Sequence, residues 1–426
     1  MPVDSGISPV YTWGWMRRFG LATAFLLLSV RPLLAGSGEA FSSLSELLSQ
    51  FGDPNTGLTA FPTLLIPMGG RYEGMGTAYT AVAADSGFLE SNPSGSSVLE
   101  HGELSFLHHS WIADSNIEGV IYTARYNDLG FGVGGKFLYV PFTEYNDWGE
   151  REARGYFSES VAILNLSYNF FSSYNFYGLA LGANLKAAYR NVPVAVYPDQ
   201  SVLTGLLDVG LLTRFNFLKG FISRTKNFSV GLALKNLGLP ALDEPVPTTA
   251  TLGIAYSPIR PLTWAVDFNL PISFLPDEAP AERWYLATGF NLSVASFLQL
   301  QAGFQLKGDN PRISVGSTLD LKKVSFVLNY NLDLSGRLNP LDKFSIEAKL
   351  HLGDKGRLAQ RDRVDELYLN GLESYALGRL EEAIAYWQQA LEIDAGFAPA
   401  RENIATAQQA LKLQQEMQQE LEAGDR

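Results

Sequence analysis

The sequence predicts an all-β transmembrane barrel of about 14 antiparallel strands, preceded by a segment rich in small residues and followed by a small α-helical domain. Three observations support this prediction. Apolar and polar side chains alternate through residues 101–353, which places the apolar ones on one face of a sheet. The alternating runs are about 9–12 residues long, as a tilted bilayer span requires, whereas soluble strands average about 5–6. The connections between the runs alternate in length, as they do in membrane barrels.

The composition narrows the classes of function that the chain can have. It has 426 residues, a formal net charge of −12 and no cysteine. The negative charge disfavours nucleic acid as a partner, because phosphate binding needs clustered lysine and arginine. The lack of cysteine excludes disulfides, thiol catalysis and cysteine-ligated zinc.

Residues 1–36 have the features of a secretory signal peptide. Arg17 and Arg18 form a basic region, residues 21–30 form a short apolar core, and small residues follow. The apolar run is too short for a spanning helix, which needs roughly 20 residues, although a short membrane anchor is the alternative interpretation. Residues 39–52 place apolar side chains at helical spacing, which predicts a short amphipathic helix.

Residues 69–98 form a segment of small residues that is suited to packing inside the barrel. Glycine lets two backbones approach closely, and an Asn-Pro pair predicts a turn. The candidate residues of this segment are Gly74, Gly76, Ala78, Asn92, Pro93 and Gly95. A nucleotide-binding loop is excluded, because no strand precedes the glycines and no Walker lysine follows them.

The period of two is clearest in residues 297–307, 324–334 and 344–352. A soluble sandwich has the same alternation, so the length and the even number of the runs decide in favour of a membrane barrel. The predicted strands start near residues 102, 116, 129, 156, 175, 202, 226, 247, 261, 282, 296, 311, 323 and 342.

The connections distinguish the two ends of the barrel. The odd-numbered connections are mostly long and polar or proline-rich, and include residues 141–155, 191–201, 238–247, 271–281 and 335–342. The even-numbered ones are mostly short, and include residues 126–129, 171–174, 257–261, 294–296 and 321–324. Since outer-membrane barrels have long outer loops and short periplasmic turns, the sequence predicts that both chain ends lie in the periplasm.

Several glycines crowd the third predicted strand. Gly132, Gly134 and Gly135 indicate a possible kink in the barrel wall, because glycine at this density weakens strand packing. The alternative is that they are ordinary glycines at a corner of the barrel.

Residues 354–426 change to a helical period and predict a separate helical domain. Small residues that let two antiparallel helices approach, and large ones that fill the seam between them, have the spacing of a tetratricopeptide repeat. These residues are Gly371, Tyr375, Gly378, Ala383, Trp387 and Ala390. One repeat with a third helix is fewer than the three that usually stand alone. We therefore expect the domain to dock on the barrel or to bind a periplasmic protein, with a plain helical hairpin as the alternative.

No catalytic or metal site can be assembled from the sequence. The four histidines (His101, His108, His109 and His351) lack metal-ligand spacing to acidic partners, and His108 and His109 point to opposite faces of one strand. No Ser/His/Asp arrangement or carboxylate pair has a defensible spacing. The sequence thus predicts neither an enzyme nor a bound metal or cofactor.

The small-residue segment resembles part of a known family. Its residues 74–76, 78–83 and 92–95 lie between a signal peptide and the first strand, as they do in the FadL family of outer-membrane transporters. The chain is closest to an uncharacterised branch of that family with appended helical repeats, and it is also similar to the PorV and PorQ barrels.

The resemblance implies that residues 37–100 contain a hatch that plugs a 14-stranded barrel in the outer membrane. It also implies transport of hydrophobic compounds such as long-chain fatty acids, although the ligand-binding residues of the family cannot be matched to this sequence. The expected partners are a fatty acid or other lipid, the surrounding outer-membrane lipid, and a periplasmic protein at the helical domain. The alternative function is a non-transporting anchor that presents this domain in the periplasm.

Overall fold

The structure is a computed structural model that describes residues 52–112, 114–173, 176–193, 199–221, 225–274, 281–308, 310–333 and 341–424. The predicted signal peptide, and all but the last residue of the predicted amphipathic helix, lie outside the described residues. Both therefore stay predictions.

Fourteen antiparallel strands form one closed barrel, in which neighbours in sequence pair with each other and β1 pairs with β14. The strands are β1 (Gly102–Ser110), β2 (Asn116–Tyr126), β3 (Leu129–Tyr145), β4 (Arg151–Phe170), β5 (Leu179–Asn191), β6 (Val202–Phe215), β7 (Phe228–Gly238), β8 (Thr249–Ile259), β9 (Leu262–Pro271), β10 (Tyr285–Ala295), β11 (Leu298–Lys307), β12 (Asn310–Asp320), β13 (Val324–Asp333) and β14 (Leu341–Gly353). This architecture confirms the predicted fold class and number of strands.

The period of two places apolar side chains outside the barrel and polar side chains inside it. In β1, Phe106 is 52% exposed, whereas its neighbour Ser105 is fully buried. In β13, Phe326 faces outward while Ser325 and Asn329 are buried in the lumen. Closure gives every strand two neighbours, so the wall leaves no sheet edge with unpaired backbone groups.

Two strands start more than three residues from their predicted positions. β4 starts at Arg151 rather than near residue 156, and β5 starts at Leu179 rather than near residue 175. The predicted loop of residues 141–155 is therefore reduced to residues 146–150.

The long β3–β4 hairpin explains this difference. β3 pairs with β2 only up to Tyr139, but it continues to pair with β4 up to Tyr145. Beyond Tyr139, β3 is paired with β4 alone and its other edge is unpaired. Pro141 is tolerated there because an edge position can lack the N–H group. Such a ribbon projects past the wall and needs no apolar face, so the sequence pattern does not reveal it.

The two ends of the barrel differ in their connections. We call the end with the β1–β2, β3–β4 and other odd-numbered connections the loop rim. The opposite end, with the even-numbered connections, the start of β1 and the end of β14, is the turn rim.

Residues 53–100, which we call the lumen segment, run through the barrel from the loop rim to the turn rim. At the loop rim, the Asn55 Nδ2 donates to the carbonyl oxygen of Ala281 between β9 and β10 at 3.2 Å. At the turn rim, the carbonyl oxygen of Leu99 accepts from the Arg125 Nη1 in β2 at 2.9 Å. The segment contains a 3₁₀ turn (Pro62–Leu65), α1 (Gly70–Gly74), α2 (Phe88–Ser91) and a second 3₁₀ turn (Pro93–Val98).

This path does not test the expectation that both chain ends lie in the periplasm, because residues 1–51 lie outside the described residues. The first described residues lie at the loop rim, whereas β1 starts and β14 ends at the turn rim. An even strand number fixes only the start of β1 and the end of β14, so it does not fix the side on which the preceding residues lie.

Three helices follow β14: α3 (Arg357–Ala376), α4 (Leu380–Ile393) and α5 (Ala398–Gly424). Trp387 is 1% exposed, and its Nε1 donates to the carbonyl oxygen of Tyr368 at 3.2 Å. A methyl group on Gly371 would collide with the Trp387 indole, so this glycine sets the spacing between α3 and α4. No helix among the described residues is long and apolar enough to cross a membrane.

The other predicted seam residues also lie between or beside these helices. Ala383 and Ala390 are fully buried, and the Tyr375 ring centroid lies 5.9 Å from that of Trp387. Gly378 has a φ of +76° in the turn between α3 and α4, which favours glycine. The predicted seam is therefore present, while membership of the tetratricopeptide family stays a prediction.

The start of α3 is tied to the barrel. The backbone N–H groups of Leu358 and Gly356 donate to the Asp354 carboxylate at 2.5 and 3.1 Å, and these bonds lower the pKa of that carboxyl. Arg357 donates through its Nη2 to the carbonyl oxygen of Glu100 at 2.6 Å. The helical domain thus begins in contact with the turn-rim end of the lumen segment.

Candidate functional site

Inward-facing glycines let the backbone of the lumen segment lie directly on the barrel wall. A methyl group added to any of seven of them, on seven different strands, would come within 3.0 Å of atoms of the segment. They are Gly130, Gly182, Gly210, Gly231, Gly253, Gly289 and Gly303. We call this set the glycine row.

The six candidate residues of the lumen segment are all near this contact. Gly76 has a φ of +62° and lies against Gly303, while Gly74 lies beside Asn329. Ala78 is fully buried. A side chain at Gly74 or Gly76 would collide with the wall, and at Gly76 it would also strain the backbone.

The second half of the candidate motif forms a turn that contacts the opposite wall. The Asn92 Nδ2 donates to the carbonyl oxygens of Thr80 at 2.9 Å and Leu211 at 3.0 Å. Pro93 lies against the Gly182 backbone, and Gly95 lies against Phe88. The sequence therefore identified a segment whose six candidate residues are all buried.

The glycines of β3 make room for side chains of the lumen segment. Phe88 packs over Gly132 and Leu89 packs over Gly134, and the Gly135 side-chain position faces the Val161 carbonyl of β4. β3 pairs with β4 from Leu129 to Glu144 without a register shift, so no β-bulge interrupts the ladder at these glycines, and a kink of the wall stays a prediction.

A buried cluster of charges holds the middle of the lumen segment to β14. The Asp85 carboxylate accepts from the Arg71 Nε at 2.8 Å, from the Tyr79 hydroxyl at 2.8 Å, and from the Lys349 Nζ. We call Arg71, Asp85 and Lys349 the anchor cluster. The next residue, Ser86, donates through its hydroxyl to Glu347 at 2.9 Å.

Two cavities adjoin inside the barrel on the side of the loop rim. The first contains about 630 Å³ that no protein atom fills, and the second contains about 360 Å³. Both volumes include space that is open to solvent. The first is lined by Lys136, Lys186 and Lys235 together with Leu64, Ile66 and Ile163. The second is lined mainly by apolar residues of the β7–β8 and β9–β10 connections, including Pro245, Val246, Pro247, Pro271 and Ile272. Both cavities are lined by Leu65, Thr249 and Tyr285.

The three lysines of the first cavity differ in their partners. The Lys136 Nζ lies 2.6 Å from the Glu90 Oε1, and the Lys186 Nζ lies 2.7 Å from the Asp208 Oδ2. Within the described part of the chain, the Lys235 ammonium has no hydrogen bond or ion pair. Lys235 is half-buried, and a charge that loses much of its water without gaining a partner is unfavourable, so this cavity is suited to an anionic group.

Sequence reasoning did not find these lysines. Each occupies an inward position of an otherwise ordinary alternating strand, and the three strands β3, β5 and β7 are far apart in sequence. A lysine on the polar face of a barrel strand is unremarkable by itself, so only the closed barrel reveals that the three meet.

The histidines fall into two groups. As predicted, His108 and His109 point to opposite faces: His108 is exposed and lies 2.8 Å from Glu118, whereas His109 is buried and lies 3.0 Å from the Pro67 carbonyl oxygen. The expectation that the histidines lack acidic partners at metal-ligand spacing is wrong, because His108 faces Glu118 and the buried His109 Nε2 lies 3.3 Å from the Glu73 Oε1. His101 and His351 meet at Glu103, because β1 pairs with β14.

Comparisons with known proteins give two kinds of similarity. Two proteins of the Treponema pallidum strain Nichols, each described as a UPF0164 protein, are 29% and 26% identical to this chain. The first similarity covers 93% of this chain and 95% of the relative, and the second covers 83% and 76%.

Among solved structures, the chain is similar to the Ralstonia pickettii toluene transporter TbuX, with a TM-score of 0.46 and 11% identity over 70% of this chain and all of that one. It is also similar to the P. putida toluene transporter TodX, with a TM-score of 0.42 and 12% identity over 66% of this chain and 97% of that one. These TM-scores and identities are too low to assign the function of either transporter to this chain.

The model of an uncharacterised protein family matches residues 40–355, which include the whole barrel and the whole lumen segment. The chain therefore belongs to the uncharacterised protein family UPF0164.

Proposed function

We propose that this chain is an outer-membrane transporter for amphipathic carboxylates, of which long-chain fatty acids are the best candidates. The observation that supports this most directly is an unpaired lysine, Lys235, in a cationic cavity that adjoins an apolar one. An alkyl chain in the second cavity would place its carboxylate beside the first.

The barrel itself supports a membrane location. Its outer surface has large exposed apolar side chains on many of the strands, among them Val120, Leu164, Leu185, Ile254 and Phe290. Such a surface is unfavourable in water, whereas a closed barrel with an apolar exterior satisfies its backbone hydrogen bonds in lipid. A barrel of this type in an exported protein belongs in the outer membrane.

The direction of entry follows from the position of the cavities. The β7–β8 and β9–β10 connections line the apolar cavity, so a ligand enters at the loop rim, which we assign to the cell exterior. The lumen segment lies between this cavity and the turn rim, so passage requires the segment to move. We therefore infer that it acts as a gate, and that the helical domain lies in the periplasm.

The test separates recognition of the carboxylate from recognition of the alkyl chain. Full-length protein in detergent is assayed for equilibrium binding of radiolabelled oleate and of oleyl alcohol, which lacks the charge. Replacing Lys235→Ala should weaken oleate binding about 10- to 100-fold, the usual worth of a hydrogen bond to a charged group. Binding of the alcohol should not change.

Lys323→Ala is the matched control, because this lysine is exposed at the turn rim and should leave both affinities unchanged. Equal binding of oleate and oleyl alcohol by the wild type would contradict recognition of a carboxylate. Unchanged oleate binding in Lys235→Ala would contradict the assigned site.

A further inference from the structure

A second cluster of ligand-type side chains lies at the turn rim, where the barrel closes. Glu103 of β1 is the pairing partner of His351 of β14, and the register shifts between Gly102 and Glu103. The shift brings His101 back over His351, so that the two ring centroids are 4.2 Å apart. The candidate ligand atoms of His101, Glu103 and His351 all lie within 4.8 Å of one another.

We propose that His101, Glu103 and His351 bind a divalent transition-metal ion, with zinc as the best candidate, and that this ion joins the first strand to the last. Two imidazoles and one carboxylate are a common zinc ligand set, with water in the fourth position. Zinc–ligand bonds of about 2.0–2.1 Å place neighbouring ligand atoms about 3.3 Å apart. Small side-chain rotations are enough to reach that geometry from the observed one.

The hydrogen bonds of His351 orient it as a metal ligand. Its Nδ1 lies 2.8 Å from the carbonyl oxygen of Lys322. A carbonyl oxygen can only accept, so the Nδ1 carries the proton and, in the neutral ring, the Nε2 is an acceptor. A histidine whose other nitrogen donates to a backbone carbonyl is the usual arrangement at metal sites. Among the described residues, the hydrogen-bond partner of that Nε2 is the Ser325 hydroxyl, which donates to it over 3.3 Å and which a metal ion would displace.

The other two residues also present a ligand atom to the site. The Glu103 Oε2 accepts from the Ser86 backbone N–H at 2.9 Å, which leaves its Oε1 facing His101 at 3.3 Å. Despite this short distance, the buried Nε2 of His101 has no hydrogen bond to the described residues. Its close polar neighbour is the Glu103 carboxylate, and a metal ion between the two would bind both.

The site lies where a bound ion would stabilise the closed barrel. His101 and Glu103 hold the start of β1, His351 lies near the end of β14, and Ser86 of the lumen segment donates to Glu103. A bound ion would therefore connect β1 to β14 and, through Glu103, to the lumen segment beside the anchor cluster. Ions that bind only the folded state stabilise it.

The experiment uses the full chain without a polyhistidine tag, because it has only four histidines. Protein in detergent is stripped with a chelator, titrated with zinc at neutral pH, and analysed by calorimetry and by elemental analysis after gel filtration. We expect one zinc ion per chain. His101→Ala and His351→Ala should each weaken binding by at least about 10-fold, since even the loss of an outer-shell partner costs 10- to 100-fold.

His108→Ala is the matched control. His108 also lies beside a glutamate, Glu118, at 2.8 Å, but no third ligand is near this exposed pair in the described residues, so zinc affinity should be unchanged. The strand signal in circular dichroism verifies folding of each variant. If either alanine variant fails to fold, zinc-edge X-ray absorption of the wild type provides the test, because two imidazole ligands give a characteristic scattering pattern. Absence of stoichiometric zinc, equal affinity in all variants, or a spectrum without imidazole would overturn the proposal.

Discussion

Inward-facing glycines set how closely the lumen segment lies against the barrel wall. A side chain at Gly303 or Gly182 would occupy space that the backbone of the segment fills. Backbone contact of this kind is exceptionally close, and it leaves little room for water between segment and wall. At the residue scale, the wall and the segment are therefore complementary through small residues on both sides.

Gly303→Ala should destabilise the protein, because the new methyl group would meet the backbone of Met75 and Gly76. Overpacking of this kind costs about 1–3 kcal/mol, to be measured as the free energy of unfolding in urea. Gly205→Ala, at a strand glycine with nothing within 4 Å of its side-chain position, should be neutral or stabilise by up to about 1 kcal/mol. Equal effects of the two substitutions would contradict the importance of the glycine row.

At the scale of elements, the lumen segment has little regular structure of its own and depends on polar contacts with the strands. The anchor cluster joins its residues Arg71 and Asp85 to Lys349 of β14. Short helices such as α1 and α2 are not stable alone, so the segment is held by these contacts rather than by its helices. Its attachment is therefore a suitable place to test whether it moves.

Asp85→Asn should loosen the segment and raise the ion conductance of the reconstituted protein in planar bilayers. The substitution leaves Arg71 without its carboxylate and Lys349 with Glu347 alone, 3.2 Å away, and breaking a buried ion pair costs about 3–5 kcal/mol. Glu118→Gln, which alters an exposed pair with His108 on the outer surface, should leave the conductance unchanged. A conductance of Asp85→Asn equal to that of the wild type, with the strand content retained, would argue against a gate.

The helical domain is the other element whose role stays open to experiment. Its seam around Trp387 accounts for the packing of α3 on α4, but it does not identify a bound protein. Binding of a periplasmic protein therefore stays a prediction from the repeat-like spacing.

At the scale of the whole molecule, different structural features lie at the two rims of the barrel. The loop rim holds the apolar cavity and the start of the lumen segment, and the turn rim holds the His101–Glu103–His351 cluster and the helical domain. The proposed transport needs the first rim outside the cell and the second in the periplasm.

Single cysteines test this orientation, because the chain has none of its own. Trp148→Cys lies in the β3–β4 connection and Leu377→Cys lies after α3, at side chains that are 89% and 61% exposed. A membrane-impermeant maleimide should label the first in intact cells and the second only after the outer membrane is permeabilised. The cysteine-free wild type is the control, and labelling of Leu377→Cys in intact cells would reverse the orientation.

The barrel was predictable because its signal is local. Alternation along one strand, such as residues 324–334, depends only on which side chains face lipid and which face the lumen, and a pleated strand repeats that choice every two residues. The same reasoning failed for the β3–β4 hairpin, where Pro141 lies beyond the wall and no apolar face is needed. Nor did it find that Gly132 and Gly134 make room for Phe88 and Leu89, because a sequence does not say which side chains will pack over a glycine.

By itself, the sequence determined the closed barrel, the small-residue segment that enters it, and the helical seam around Trp387. Only the tertiary structure decided which distant residues meet: the unpaired Lys235 beside Lys136 and Lys186, and His351 beside Glu103. The physical reason is that strand periodicity fixes the face on which a side chain lies, whereas its neighbours across the lumen depend on register and closure. Pairing of β1 with β14 joins residues about 250 positions apart, and no local pattern encodes that contact.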